Sequence, residues 1–162
     1  MRVYVPATTG DLASLIASGT LAAGLTAFAV TPGLREWYVD DDTEELEYAA
    51  MLEAARASLR LIDADQDVAR RRVVIAADVS DVEVRDDLDR GVVRVSSAVP
   101  VSAVASVHVD DAEASEAVAA AATAITAADL GDESAQERVD DAEGFELSWY
   151  ASQEIPALLD AL

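Results

Sequence analysis

The chain contains no cysteine, no lysine and no asparagine, and only one histidine. Without cysteine there is no disulfide framework, no thiolate zinc site and no thiol nucleophile. Without lysine there is no Schiff-base amine and no phosphate-loop lysine. All eleven basic residues are arginine. Lysine and asparagine have A-rich codons, so their joint absence beside abundant alanine points to a GC-rich genome before it points to any function. The lack of cysteine leaves the redox compartment open, and the cytoplasm is the default expectation.

Positive charge is the second deficit. Thirty-two acids against eleven arginines leave a formal net charge of −21. Phosphate binding depends on basic side chains releasing counterions, so this field excludes nucleic acid and anionic membrane surfaces as expected partners. A basic partner is compatible with it. Screening of carboxylate repulsion should raise the melting temperature as NaCl is added; a flat or falling response would count against that picture.

No charged residue lies between Leu12 and Leu34, a length at which a membrane span has to be considered. The stretch is rich in small residues, is interrupted by Gly19 and Gly24, and closes with Thr31-Pro32-Gly33. Ala27-Phe28-Ala29 loosely resembles a signal-peptidase site, but only Arg2 precedes the apolar part and Asp11 sits at its edge. It reads as a soluble helix followed by a strand, and no membrane association is expected.

What is present suffices for one domain over residues 1–162, 52% apolar by composition. "MRVYVP" alternates as a strand. Thr8, Thr9 and Asp11 supply cap chemistry for a helix carrying Leu12, Leu15 and Ile16, and Gly19 is its stop. "TAFAV" is a buried strand ending at Pro32-Gly33, which suggests a β-α-β unit with a right-handed crossover. The clearest helix runs from Asp42 to about Ala64, with Asp42 and Glu45 at capping-box spacing. Tyr48, Met51, Leu52, Ala55, Leu59 and Ile62 define its expected core face. A second stripe (Leu46, Ala50, Ala54, Ala57 and Leu61) makes it apolar on two sides. Such a helix is covered twice, by its sheet and by another helix or a partner chain.

"RRRVVIAADV" reads as an interior strand, followed by an acidic turn with a short strand at Val82-Glu83-Val84. "GVVRVSS" and "ASVHVD" are further strands, separated by a helical turn from Pro100 to Val104. An alanine-rich helix with Val118, Ala121, Ala122 and Ile125 follows, with Gly131 just past its end. Residues 132–144 are expected to form an acidic loop or mobile segment. "FELSWYA" alternates as a strand, and a short helix with Ile155, Leu158, Leu159 and Leu162 ends the chain. The expected class is α/β: a single domain with a mixed sheet of about five to six strands and helices packed on it.

Candidate chemistry centres on "SVHVDD". On a strand, Ser106, His108 and Asp110 share one side while Val107 and Val109 share the other. The favoured reading is local: Asp110 or Asp111 caps the next helix and His108 is a satisfied polar-face histidine. The alternative is a metal or acid–base site of His108, Asp110 and Asp111, which would need further ligands, for instance from Asp40-Asp41-Asp42. Arg70, Arg71 and Arg72 could bind an anion, but neutralisation of nearby acids is favoured. Trp37, Tyr38, Trp149 and Tyr150 read first as core anchors and second as an interaction surface. No glycine-rich phosphate loop and no nucleophile elbow is present. Acids are too abundant for any chosen carboxylate pair to be informative.

Taken together, "MRVYVPAT", "AFAVTP", "SVHVDD" and "WYASQEI" resemble a family of small, acidic, uncharacterised actinobacterial proteins. The likeness spans most of the chain and implies a bacterial origin; it carries no activity and no site residues. The expected function is therefore a cytoplasmic, non-enzymatic interaction or regulatory domain without a cofactor, acting on an unknown protein partner or on a second copy of itself as a homodimer. The alternative is a metal-binding domain or metal-assisted hydrolase.

Overall fold

A computed structural model describes residues 1–38 and 42–162. It contains a seven-stranded sheet in the order β5-β6-β3-β1-β4-β8-β9, with a separate two-stranded ribbon of β2 and β7. The strands are β1 (Arg2–Ala7), β2 (Thr20–Leu21), β3 (Leu25–Phe28), β4 (Val73–Asp78), β5 (Val82–Val84), β6 (Val92–Val95), β7 (Val99–Pro100), β8 (Val104–Val109) and β9 (Ser148–Ala151). The helices are α1 (Thr9–Ser18), α2 (Pro32–Trp37), α3 (Thr43–Ala64), α4 (Ser115–Asp129), α5 (Glu133–Glu143) and α6 (Ile155–Ala161). The α/β class is as expected. The sheet is wider than anticipated, and every strand pairing among the described residues is antiparallel.

The expected β-α-β crossover is therefore not formed. After α1 the chain first enters the β2–β7 ribbon, where Thr20 pairs with Pro100. It then returns to the main sheet running opposite to β1, with Tyr4 facing Phe28. The uncharged stretch from Leu12 to Leu34 is divided among α1, β2, β3 and α2. Among the described residues, no helix is long and apolar enough to cross a membrane.

Side-chain alternation splits the sheet into two faces. On one, Val3, Val5, Val73, Ile75, Val93, Val107 and Val109 pack with Leu12 and Leu15 of α1 and Ile155 and Leu158 of α6. On the other, Tyr4, Phe28, Val74, Ala76 and Val92 meet Ala50, Ala54 and Ala55 of α3. A third cluster joins Leu59 and Ile62 of α3 to Val118 and Ile125 of α4 and Val139 of α5. Burying such aliphatic side chains contributes roughly 1.5–3 kcal/mol each, before conformational entropy is set against it.

Two sequence expectations are corrected by this layering. Of the expected core face of α3, Ala55, Leu59 and Ile62 are buried but Tyr48 and Leu52 are 43% and 41% exposed, and Leu46, Ala50 and Ala54 of the small stripe face inward in their place. Alanines win this contact because a helix lying flat on a sheet needs small residues to come close. The second cover of α3 is α4 of the same chain, so its two-sided apolarity does not call for a partner. Segment 132–144, which the sequence leaves between a loop and a mobile helix, forms the helix α5 over Glu133–Glu143. Asp132 caps α5 by accepting a hydrogen bond from Ala135 N at 2.9 Å, and Ala135, Val139 and Ala142 bury one stripe against α4. The acids there occupy its solvent side, which hid the period.

Local stops behave as their chemistry dictates. Gly19 ends α1 at φ +80°, a conformation costly for residues with a Cβ. Gly33 lies so close to Asp86 that a Cβ would stand 2.6 Å from its carboxyl carbon. That approach lets the Asp86 carboxylate accept from Thr31 Oγ1 (2.6 Å), Gly33 N (3.0 Å) and Gly91 N (3.0 Å). Burial disfavours its charged form, but these three donors outweigh it and hold the pKa below the usual carboxylate range.

Candidate functional site

His108, Asp110 and Asp111 follow one another at the end of β8, yet each is engaged differently. Asp110, 1% exposed, receives Arg72 Nε and backbone N at Oδ2 and Arg72 Nη2 at Oδ1, all at 2.8 Å. Arg72 Nη2 also donates to the Phe145 carbonyl at 2.9 Å. Asp111 accepts from Ser148 Oγ on β9 at 2.9 Å. Neither aspartate caps α4: no side-chain cap bond is made at the start of that helix or of the short turn before it. The expected cap is replaced by two cross-strand contacts, because β4 and β9 flank β8 and offer a guanidinium and a hydroxyl at those levels.

His108 shares a hydrogen bond of 3.2 Å with Ser106 Oγ. Burial, and secondarily the positive charge of Arg2, lower its pKa from the ordinary 6.5, so it is neutral at pH 7. Its flanking backbone pairs with β4 and β9, Val74 and Trp149 standing opposite it. The strand's N–H groups therefore point into the sheet and are not aimed as an oxyanion hole would require. The structure does not bring His108, Asp110 and Asp111 together as a ligand set. Among the described residues no group of three or more histidines and acids could hold a metal ion. Asp40 and Asp41, considered as extra ligands, lie outside the described residues.

The arginine triplet is turned into the protein. Arg70 donates to the Ile62 and Asp65 carbonyls at 2.8 and 3.0 Å, satisfying the end of α3. Arg71 reaches the Asp110 carbonyl at 3.4 Å, and Arg72 is held by the Asp110 carboxylate. No guanidinium of the three is left aimed together at a common anion.

What the structure does assemble is a set of grooves around Tyr48. One, of about 270 Å³, lies over the sheet and is floored by Tyr4, Ala76, Ser106 and His108, with Trp149 at its β9 end. Glu44, Glu47, Tyr48 and Met51 form its α3 wall, and their spacing places them on one helical stripe. Tyr4 Oη donates to Glu47 Oε2 at 3.1 Å. Burial, then that carboxylate, push the Tyr4 hydroxyl up to about 12, so it remains a donor at neutral pH. A second groove of about 350 Å³ runs between Tyr48, Met51 and Leu52 and the segment Glu143–Leu147. A third, of about 560 Å³, continues past Leu52 to Tyr38, Glu53 and Glu143.

Six glutamates (44, 45, 47, 53, 143 and 146) border these grooves. Arg2 and Arg56 line the same grooves, near Glu47 and Glu143 respectively, and give their hydrogen bonds to other residues. Arg2 pairs with Asp78 at 2.9 Å, and Arg56 donates to Asp129 and Gln136 at 3.2 and 3.1 Å. Desolvation, reinforced by the neighbouring Asp140 charge, raises the pKa of Glu143. The region is thus rich in carboxylates.

A sequence model of the Family of unknown function (DUF6912) matches residues 1–159. The chain belongs to that family. No curated protein and no solved structure matches it.

In this member of DUF6912, the aromatic candidates divide. Trp37 and Trp149 are each 60% exposed, so neither is a core anchor. Tyr38 is exposed at the third groove, while Tyr150 packs half-buried on the opposite sheet face. Sequence reasoning missed Tyr4, Glu44, Glu47, Tyr48 and Met51 as a shared surface. The signal is the stripe at 44, 47, 48 and 51, of which Tyr48 and Met51 read as core because aromatic and thioether side chains at helical spacing normally are.

Proposed function

We propose that this DUF6912 protein is a non-enzymatic interaction domain, acting in the cytoplasm, whose partner is a basic protein bound along the grooves that meet at Tyr48. One observation carries this reading: exposed aromatic and aliphatic side chains are bordered by glutamates 44, 47, 53, 143 and 146, while Arg2 and Arg56, which line the same grooves, give their hydrogen bonds to Asp78 and to Asp129 and Gln136. Apolar anchors with a polar border are the usual anatomy of a binding patch. Complementary charge steers the encounter and selects the partner.

A homodimer through this face is disfavoured electrostatically. A two-fold interface is self-complementary, so it would set the same glutamates against one another. The test is calorimetric titration with a synthetic Arg/Leu amphipathic helical peptide and with a Glu/Leu counterpart. Binding of the first alone, weakened by NaCl and lost in Tyr48→Ala with Leu52→Ala, is expected. Binding indifferent to those substitutions would overturn the reading. So would a concentration-dependent dimer in sedimentation that Leu52→Glu abolishes.

A further inference from the structure

We infer that the groove over β1, β4 and β8 is a recognition pocket for one arginine side chain of the partner, whose guanidinium lies against Trp149 and Tyr48 and donates to Glu44 and Glu47. This rests on the interaction reading above and names the residue type that the groove selects. The groove combines flat rings with two carboxylates one helical turn apart, on a single stripe of α3. A planar, weakly hydrated guanidinium stacks on rings and offers a fork of donors; a compact, strongly hydrated ammonium uses neither feature as well.

The chain itself supplies the comparison. Arg90 lies over the Trp37 ring, 3.6 Å from its centroid. Trp149 is equally exposed, and Arg2, which lines the groove, gives its two hydrogen bonds to Asp78 at 2.9 and 3.1 Å and makes no ring contact of that kind among the described residues. The pocket therefore sets an aromatic platform and two carboxylates against a single guanidinium, Arg2, whose hydrogen bonds go to Asp78. Tyr4 anchors one oxygen of Glu47, which steadies that carboxylate and leaves the other oxygen for a ligand.

The probe is N-acetyl-arginine amide, titrated into the full chain while the two tryptophan indole N–H signals are followed by NMR. A saturable shift of the Trp149 signal, with Trp37 unmoved, is expected. N-acetyl-citrulline amide, planar but uncharged, should leave Trp149 in place, and N-acetyl-lysine amide should bind about tenfold more weakly. Glu44→Gln and Tyr48→Ala should each weaken the arginine shift about five- to tenfold with the far-ultraviolet spectrum unchanged. Equal shifts from arginine and citrulline, or from arginine and lysine, would overturn the proposal, as would a stationary Trp149. If Trp149 stays still while the Arg/Leu peptide still binds in a Tyr48- and Leu52-dependent way, the arginine pocket fails and the interaction domain stands. If neither ligand binds, both fail.

Discussion

Asp110 and His108 project from the same face of β8, two residues apart, and the structure treats them oppositely. Around Asp110 the face is sealed: Asp110 is 1% exposed, and Arg72, 2% exposed, neutralises it through hydrogen bonds from two guanidinium nitrogens. Around His108 the same face opens into a groove bounded by α3 and Trp149. The lesson concerns coverage rather than residue type. A charge can be buried where a partner is delivered at hydrogen-bond distance, and polar side chains left outside that cover become a surface.

The sharpest way to break this comparison is to disrupt the sealed end. Arg72→Ala strands a buried carboxylate and should cost about 3–5 kcal/mol in chemical denaturation, whereas Arg72→Met with Asp110→Leu should recover most of that loss. Next comes Ser58, whose hydroxyl donates to the Ala7 carbonyl at 2.7 Å and accepts from Val73 N at 3.1 Å. Ser58→Ala leaves both buried backbone groups short of a partner and should cost about 1–3 kcal/mol by the same measurement.

A smaller effect is expected from pH at the open end. The folded pKa of His108 lies below its unfolded value, so the unfolded chain binds more protons near pH 6.5 and below. The contribution of His108 is complete above the unfolded pKa and declines as pH falls toward the folded one. His108→Gln should flatten that part of the stability profile, and an unchanged slope would remove the assignment. Smallest of all, Tyr48→Ala and Trp149→Ala should alter stability by about 0.5 kcal/mol or less while weakening capture of the Arg/Leu peptide. A large loss of stability at either position would make the open end part of the core and dissolve the contrast.

Much of the fold was legible because its signals are local. "VVIAAD" as an interior strand, the short strand at Val82–Val84, and α1 with its Gly19 stop follow from periodicity and cap chemistry within a few residues. The misread segments share one cause. The period of α5 is carried by two alanines and a valine among acids, and the first half of α3 turns Ala50 and Ala54 inward with Leu46 while Tyr48 and Leu52 stay exposed; size and polarity gave the wrong answer in both. At the candidate site, the letters of "SVHVDD" placed His108 and Asp110 on one side of a strand, but Ser148, Tyr4 and Glu47 come from distant positions that no local spacing connects.

By itself the sequence determined the chemistry available: an acidic, thiol-free, lysine-free chain whose apolar periods specify most helices and strands. Only the tertiary structure decided the order β5-β6-β3-β1-β4-β8-β9, and with it that Arg72 meets Asp110 while Trp149 stands beside His108. Periodicity is a property of neighbours along the chain. Which strands lie side by side depends on how all the apolar faces are covered at once, and that global packing leaves one end of the sheet sealed and the other open.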